Sequence, residues 1–153
     1  MSNPASTAVG DTAARRDWMG LLARARPDQL AVLMPETPAH AFLRPPEVGA
    51  VMVRGRVGAT GAPFNLGEMT ITRCTLRLEC GAVGHAHVQG RDKAHATRAA
   101  IIDALMQTDA AADLRARVLD PLARAETDRR QARAEKAAAT KVEFFTMVRG
   151  EDK

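Results

Sequence analysis

Along the first quarter of the chain the apolar positions recur at helical spacing. Trp18, Leu21, Leu22 and Ala25 fall on one side of a helix, and Arg15, Arg16, Arg24 and Arg26 lie largely elsewhere around it. Pro27 and Asp28 suit the first turn of a second, short helix carrying Leu30, Leu33 and Met34. Pro35 and Pro38 close it, and a loop through Pro45 and Pro46 is expected to lead onward. From Val48 the period changes to two: Val51, Val53 and Val57 are interleaved with Met52, Arg54 and Arg56, which describes a half-buried strand. The run from Gly58 to Pro63 reads as a loop, and a second β run extends from about Glu68 to Glu79.

Cys80 and Gly81 then offer a tight turn, and the chain returns as Val83 to Gln89. A two-residue turn places Leu78 opposite Val83, Leu76 opposite His85 and Cys74 opposite His87; a three-residue turn reverses that facing. Gly90 to Lys93 ends the sheet and opens a helix to about Gln107, with Asp92 as its cap and Ile101, Ile102, Leu105 and Met106 as its apolar face. A further helix bears Leu114, Val118 and Leu122, with a break or restart expected at Asp120–Pro121. The pattern predicts an α+β protein: N-terminal helices, a small antiparallel sheet built on a long hairpin, then C-terminal helices. Residues 1–11 read as a disordered tail of small residues, and residues 12–153 as a single domain.

Two segments near the end do not fit a self-contained core. Ala123 to Thr140 is mainly Ala, Arg, Glu and Lys, with high helix propensity and no large apolar residue. It is either a solvated helix or one that docks on a partner. Val142, Phe144, Phe145, Met147 and Val148 follow as an apolar cluster, which makes Phe144, Phe145 and Met147 candidate interface residues.

Composition narrows the chemistry. Aromatic residues are 3% of the 153, with no Tyr and one Trp, so platforms for stacking bases are scarce. The formal charge of +4 and a pI near 9.7 favour polyanions or an acidic partner, and are equally compatible with a solvated basic surface. Cys74 and Cys80 on one strand would lie about 20 Å apart, too far for a disulfide, in keeping with a cytoplasmic protein. No apolar run spans a bilayer and the start lacks a secretory signal.

Nucleophile elbows, Walker phosphate loops, Cys-x-x-Cys pairs and H-E-x-x-H are absent from the sequence, so no catalytic residue is assigned. Cys74, His85 and His87 on one sheet face would be acceptable zinc ligands, but without paired-ligand spacing they read as half-buried polar residues, and no metal site is expected. The stretch Gln89-Gly90-Arg91-Asp92-Lys93-Ala94-His95 carries more. A helix start presents unpaired N–H groups, Arg91 and Lys93 add charge, and His95 and Arg98 lie three apart on the new helix. Arg91, Lys93, His95 and Arg98 are therefore candidates for contact with phosphate or with a partner, although Asp92 as cap competes for the same donors.

The same stretch, HVQGRDKAHATRAAIIDALMQ from His87 to Gln107, resembles the central motif of the PhnG family. RRDWMGLLARA, GEMTITRCTLRL and KVEFFTMVRGE agree in the same order, so the resemblance runs from about Arg15 to Glu151. His85 and His87 stand where some relatives are expected to carry aromatic residues. The resemblance implies a subunit of the carbon–phosphorus lyase machinery of phosphonate breakdown, acting with PhnH, PhnI and PhnL to join a phosphonate such as methylphosphonate to the ribose triphosphate of ATP as adenine leaves. It further implies a core assembly with PhnH, PhnI and PhnJ, the last a separate radical S-adenosylmethionine subunit. ATP would be a substrate of the complex, and the chain alone would bind no cofactor. The competing reading is a small basic nucleic-acid-binding module, which the missing aromatic platforms and binding motifs make the weaker of the two.

Overall fold

The computed structural model describes residues 4–142, with side chains over residues 12–142. The expected interface residues Phe144, Phe145 and Met147 lie outside the described residues. Helix α1 (Pro4–Arg24) is assigned from ahead of Thr12, where order is expected to begin, and the short α2 (Pro27–Leu33) follows with Pro27 in its first turn. Strands β1 (His40–Arg56), β2 (Pro63–Leu78) and β3 (Val83–Gln89) form an antiparallel sheet in the order β1-β2-β3. Helix α3 (Lys93–Leu105) packs across it, and α4 (Ala111–Leu114) leads into α5 (Asp120–Ala139). This is the α+β arrangement that the alternation of periods implies.

Among the described residues the helices pack on one face of the sheet. Thr72, Cys74, Leu76 and Leu78 of β2 and Gly84, Ala86 and Val88 of β3 are buried there, as strand periodicity requires. They meet Ala96, Ala99, Ala100, Ile101 and Ala104 of α3, with Leu22, Leu30, Val118 and Leu122 completing the core. The small residues serve close approach. A Cβ added at Gly84 would fall onto the Ala100 carbonyl oxygen and within 2.8 Å of the Ala104 nitrogen, so only glycine lets α3 lie this near to β3.

Two sequence expectations change in the sheet, and a third along the ribbon beyond it. The loop expected through Pro45 and Pro46 is part of β1, which pairs with β2 from His40 opposite Leu78 onward and shifts register between Phe42 and Arg44 and between Arg44 and Glu47. Proline is tolerated because β1 is an edge strand and the irregularity absorbs its missing donor. The β2–β3 turn has three residues, Glu79-Cys80-Gly81, with Gly81 at φ +89° and its N–H donating to the Leu78 oxygen at 2.9 Å. Thr75 therefore faces His85, Arg73 faces His87 and Cys74 faces Ala86. Of the break or restart expected at Asp120–Pro121, the structure shows the restart: α5 begins at Asp120 with Pro121 in its first turn. The backbone stays helical from Leu114 through Asp120 and widens into a π-helical turn over Arg115–Leu119, which accommodates a proline that cannot donate to the preceding turn.

β1 and β2 outrun β3. Pairing of β3 stops at Ile71 opposite Gln89, whereas β1 and β2 remain paired out to Arg56 opposite Pro63. The two strands thus continue as a ribbon for about 25 Å at the usual rise per residue. Its tip turns at Val57–Ala59, and Val51, Met52, Val57, Phe64 and Leu66 along it are exposed, so Val51 and Val57 do not form the buried side of the strand that their alternation predicts, the ribbon having no third strand or helix to cover it.

Candidate functional site

The segment joining β3 to α3 is held from several sides. Gly90 takes φ +89°, its N–H donates to the Thr70 oxygen at 3.0 Å, and its carbonyl accepts from Thr72 Oγ1 at 2.8 Å. Asp92 then caps α3: its Oδ1 accepts from the His95 backbone N–H at 2.9 Å. One of the donors offered by the helix start is thus taken by the protein's own carboxylate. Arg91 and Lys93 on either side of the cap are exposed.

His95 is placed otherwise than the spacing implies. It is 2% exposed, and its Nε2 lies 2.9 Å from the Leu22 carbonyl oxygen near the end of α1. A carbonyl only accepts, so Nε2 carries the proton and Nδ1 the lone pair, buried without a partner. Burial holds its pKa below the ordinary histidine value, against the opposing effects of the Leu22 bond and of Asp92. The ring ties α3 to α1 and does not point toward solvent with Arg98. Arg98 is half-buried, and its Nε is buried with no hydrogen-bond partner. Arg91 and Lys93 are thus held on the surface at the helix start, while His95 turns inward.

The thiol and imidazoles do not come together either. The three-residue turn puts Cys74 on the helical face, 1% exposed and with its pKa raised by burial, while His85 and His87 stand on the opposite, exposed face. There Thr75 Oγ1 lies 3.1 Å from His85 Nδ1, and burial, His85, Arg73 and Arg44 lower the pKa of His87. Among the described residues no group of three His, Cys, Asp or Glu side chains is placed to hold a metal ion. Nor is any helix there long and apolar enough to cross a membrane.

Two features escaped the sequence. Asp103, fully buried on α3, accepts from Arg15 Nη2 at 2.7 Å, Trp18 Nε1 at 2.9 Å and the His85 backbone N–H at 2.9 Å. It thereby binds α1 to the outer edge of β3. The second is a cluster of arginines, Arg24 with Arg129, Arg130 and Arg133, around Gln89 and Glu126. The signal for it was the helical spacing of Glu126, Arg129, Arg130 and Arg133, which puts all four on one face of α5.

Comparison with known proteins is in accord across nearly the whole chain. The family model described as phosphonate metabolism protein PhnG matches residues 13–150. A relative from Rhizobium meliloti (strain 1021), the alpha-D-ribose 1-methylphosphonate 5-triphosphate synthase subunit PhnG, is 49% identical over 144 residues, which cover 92% of each protein. By the family match over residues 13–150 and this identity, the chain belongs to the PhnG family of phosphonate metabolism proteins.

Proposed function

We propose that this chain is an accessory subunit of a cytoplasmic carbon–phosphorus lyase core complex. In that role it supports transfer of the ribose triphosphate of ATP to a phosphonate such as methylphosphonate, with release of adenine. The observation that carries the reading is 49% identity to a named synthase subunit over 92% of both chains. PhnH, PhnI, PhnJ and PhnL are the proposed partners, with ATP entering as a substrate of the assembly.

The ribbon supports a role in assembly. A two-stranded β-ribbon is marginally stable by itself in water. This one runs beyond the sheet with Met52 at 52%, Leu66 at 66% and Val57 at 67% exposure. A partner that covers it would remove that apolar surface from water. The run from Val142 through Phe144, Phe145 and Met147 to Val148 is proposed as a second contact on the same compositional ground. A nucleic-acid-binding module is the poorer fit, because Trp18 is buried and engaged with Asp103.

The test is co-purification of the tagged chain with the other phosphonate proteins, alongside growth on methylphosphonate of a strain lacking its own PhnG. Wild type should capture the assembly and restore growth. Met52→Ser with Leu66→Ser should remain folded by circular dichroism and lose capture. A wild-type chain that captures none of these subunits and restores no growth would overturn the assignment.

A further inference from the structure

The arginine cluster sits where three elements converge: the last turn of α1, the end of β3 and the exposed face of α5. Arg24, Gln89, Glu126, Arg129, Arg130 and Arg133 line a cleft of about 290 Å³. Four guanidinium groups against one carboxylate leave a local charge of +3 (four minus one). Glu126 is engaged twice: Arg24 Nε lies 2.8 Å from its Oε1 and Arg130 Nη2 also 2.8 Å from Oε1. Its pKa is held below the usual carboxylate range, first by the hydrogen bond from Arg24, so it stays an anion beside them. It positions two arginines and cannot neutralise four.

Arg129 and Arg133 make no ion pair or hydrogen bond among the described residues. They stand four apart on α5, where like charges repel and destabilise a helix. Arg130 and Arg133, three apart, add to that repulsion. The charge of the lining comes wholly from side chains on α1 and α5. Gln89 adds an uncharged donor and acceptor at the cleft wall.

We propose that this cleft binds the polyphosphate group of a triphosphate-bearing ligand. Guanidinium forks match phosphate oxygens in geometry and charge, and several of them converging on a pocket suit a multiply charged anion better than a single phosphate. The two unpartnered arginines supply the donors, while Arg24 and Arg130, anchored by Glu126, frame them. The choice of a triphosphate rests on the proposed function; the choice of an anion rests on the cleft itself.

All lining residues belong to this chain, so the purified full chain is the right object for calorimetric titration at low salt. The probes are sodium triphosphate, ATP, inorganic phosphate and a single-stranded DNA oligonucleotide. Triphosphate and ATP should bind one per chain with similar affinity, and inorganic phosphate about tenfold or more weakly. Arg129→Gln with Arg133→Gln should weaken triphosphate at least about tenfold, while raising the thermal midpoint of the ligand-free protein by relieving repulsion. Arg115→Gln with Arg124→Gln, exposed arginines outside the cleft, should leave binding unchanged. No triphosphate binding by wild type overturns the proposal, as does equal weakening by the two double variants. DNA binding tighter than triphosphate through the same residues also overturns it. A chain that captures its partners and restores growth yet fails this titration refutes the cleft and leaves the subunit assignment standing.

Discussion

Trp18 on α1 donates its indole N–H to Asp103 on α3 at 2.9 Å, across 85 positions of sequence, with both side chains buried. Asp103 also takes Arg15 and the His85 backbone N–H, so one carboxylate fastens α1 and α3 to the outer edge of β3. An edge N–H that would otherwise invite another strand is thereby occupied. Asp103→Ala strands the indole and that amide in the interior and should lower stability by about 3 kcal/mol or more. Trp18→Phe leaves Arg15 and His85 in place and should cost about 1 kcal/mol from the lost hydrogen bond. Urea unfolding midpoints at unchanged slope would check both, and equal effects of the two variants would deny Asp103 its central place.

Gly84→Ala should destabilise by about 2 kcal/mol or more, since α3 must move to admit one methyl group. Gly49→Ala is the internal control: nothing lies within 4 Å of its added Cβ and its φ is ordinary. Thermal midpoints should drop clearly for the first and little for the second.

His95 makes stability depend on pH in a defined direction. Its pKa is depressed in the fold, so the stability it contributes is complete above the unfolded value of about 6.5 and is lost as pH falls through the folded value. Protonation would place an N–H at the partnerless Nδ1. Urea midpoints should therefore fall on acidification from about pH 7 to about pH 5, more steeply in wild type than in His95→Gln. Equal slopes would show that His95 takes no part in the acid response.

Arg91 and Lys93 flank the Asp92 cap and are exposed, so replacing both with Ala removes charge without touching the hydrogen bond that starts α3. The double variant should keep its circular dichroism spectrum and unfold within about 0.5 kcal/mol of wild type. Growth on methylphosphonate should fall, and capture of partners should become more sensitive to salt if the contact lies at an exposed interface. Normal growth would remove both residues from the functional set.

Much of this fold was legible because its determinants are local. The helical recurrence around Trp18 and Leu22, the strand through Val51 and Val53 and the Asp92 cap each depend on neighbours within a few residues, and each element appears where the pattern placed it, although the burial expected of Val51 and Val57 does not. Facing across the hairpin depended on one residue of loop length. With a side-chain period of two, the third turn residue sent Cys74 inward and left His85 and His87 outside, which dissolved the zinc constellation. His95 carried no local sign of burial, because the carbonyl that holds its ring belongs to Leu22 on another helix. Likewise nothing near Asp103 in sequence announces a buried acid. Its charge is tolerable only because Arg15, Trp18 and His85 are brought around it by packing, and that convergence exists in three dimensions alone. Periodicity in the chain chose the elements, whereas the pairing of distant groups, which decides whether a polar side chain can be buried, was set by the tertiary structure.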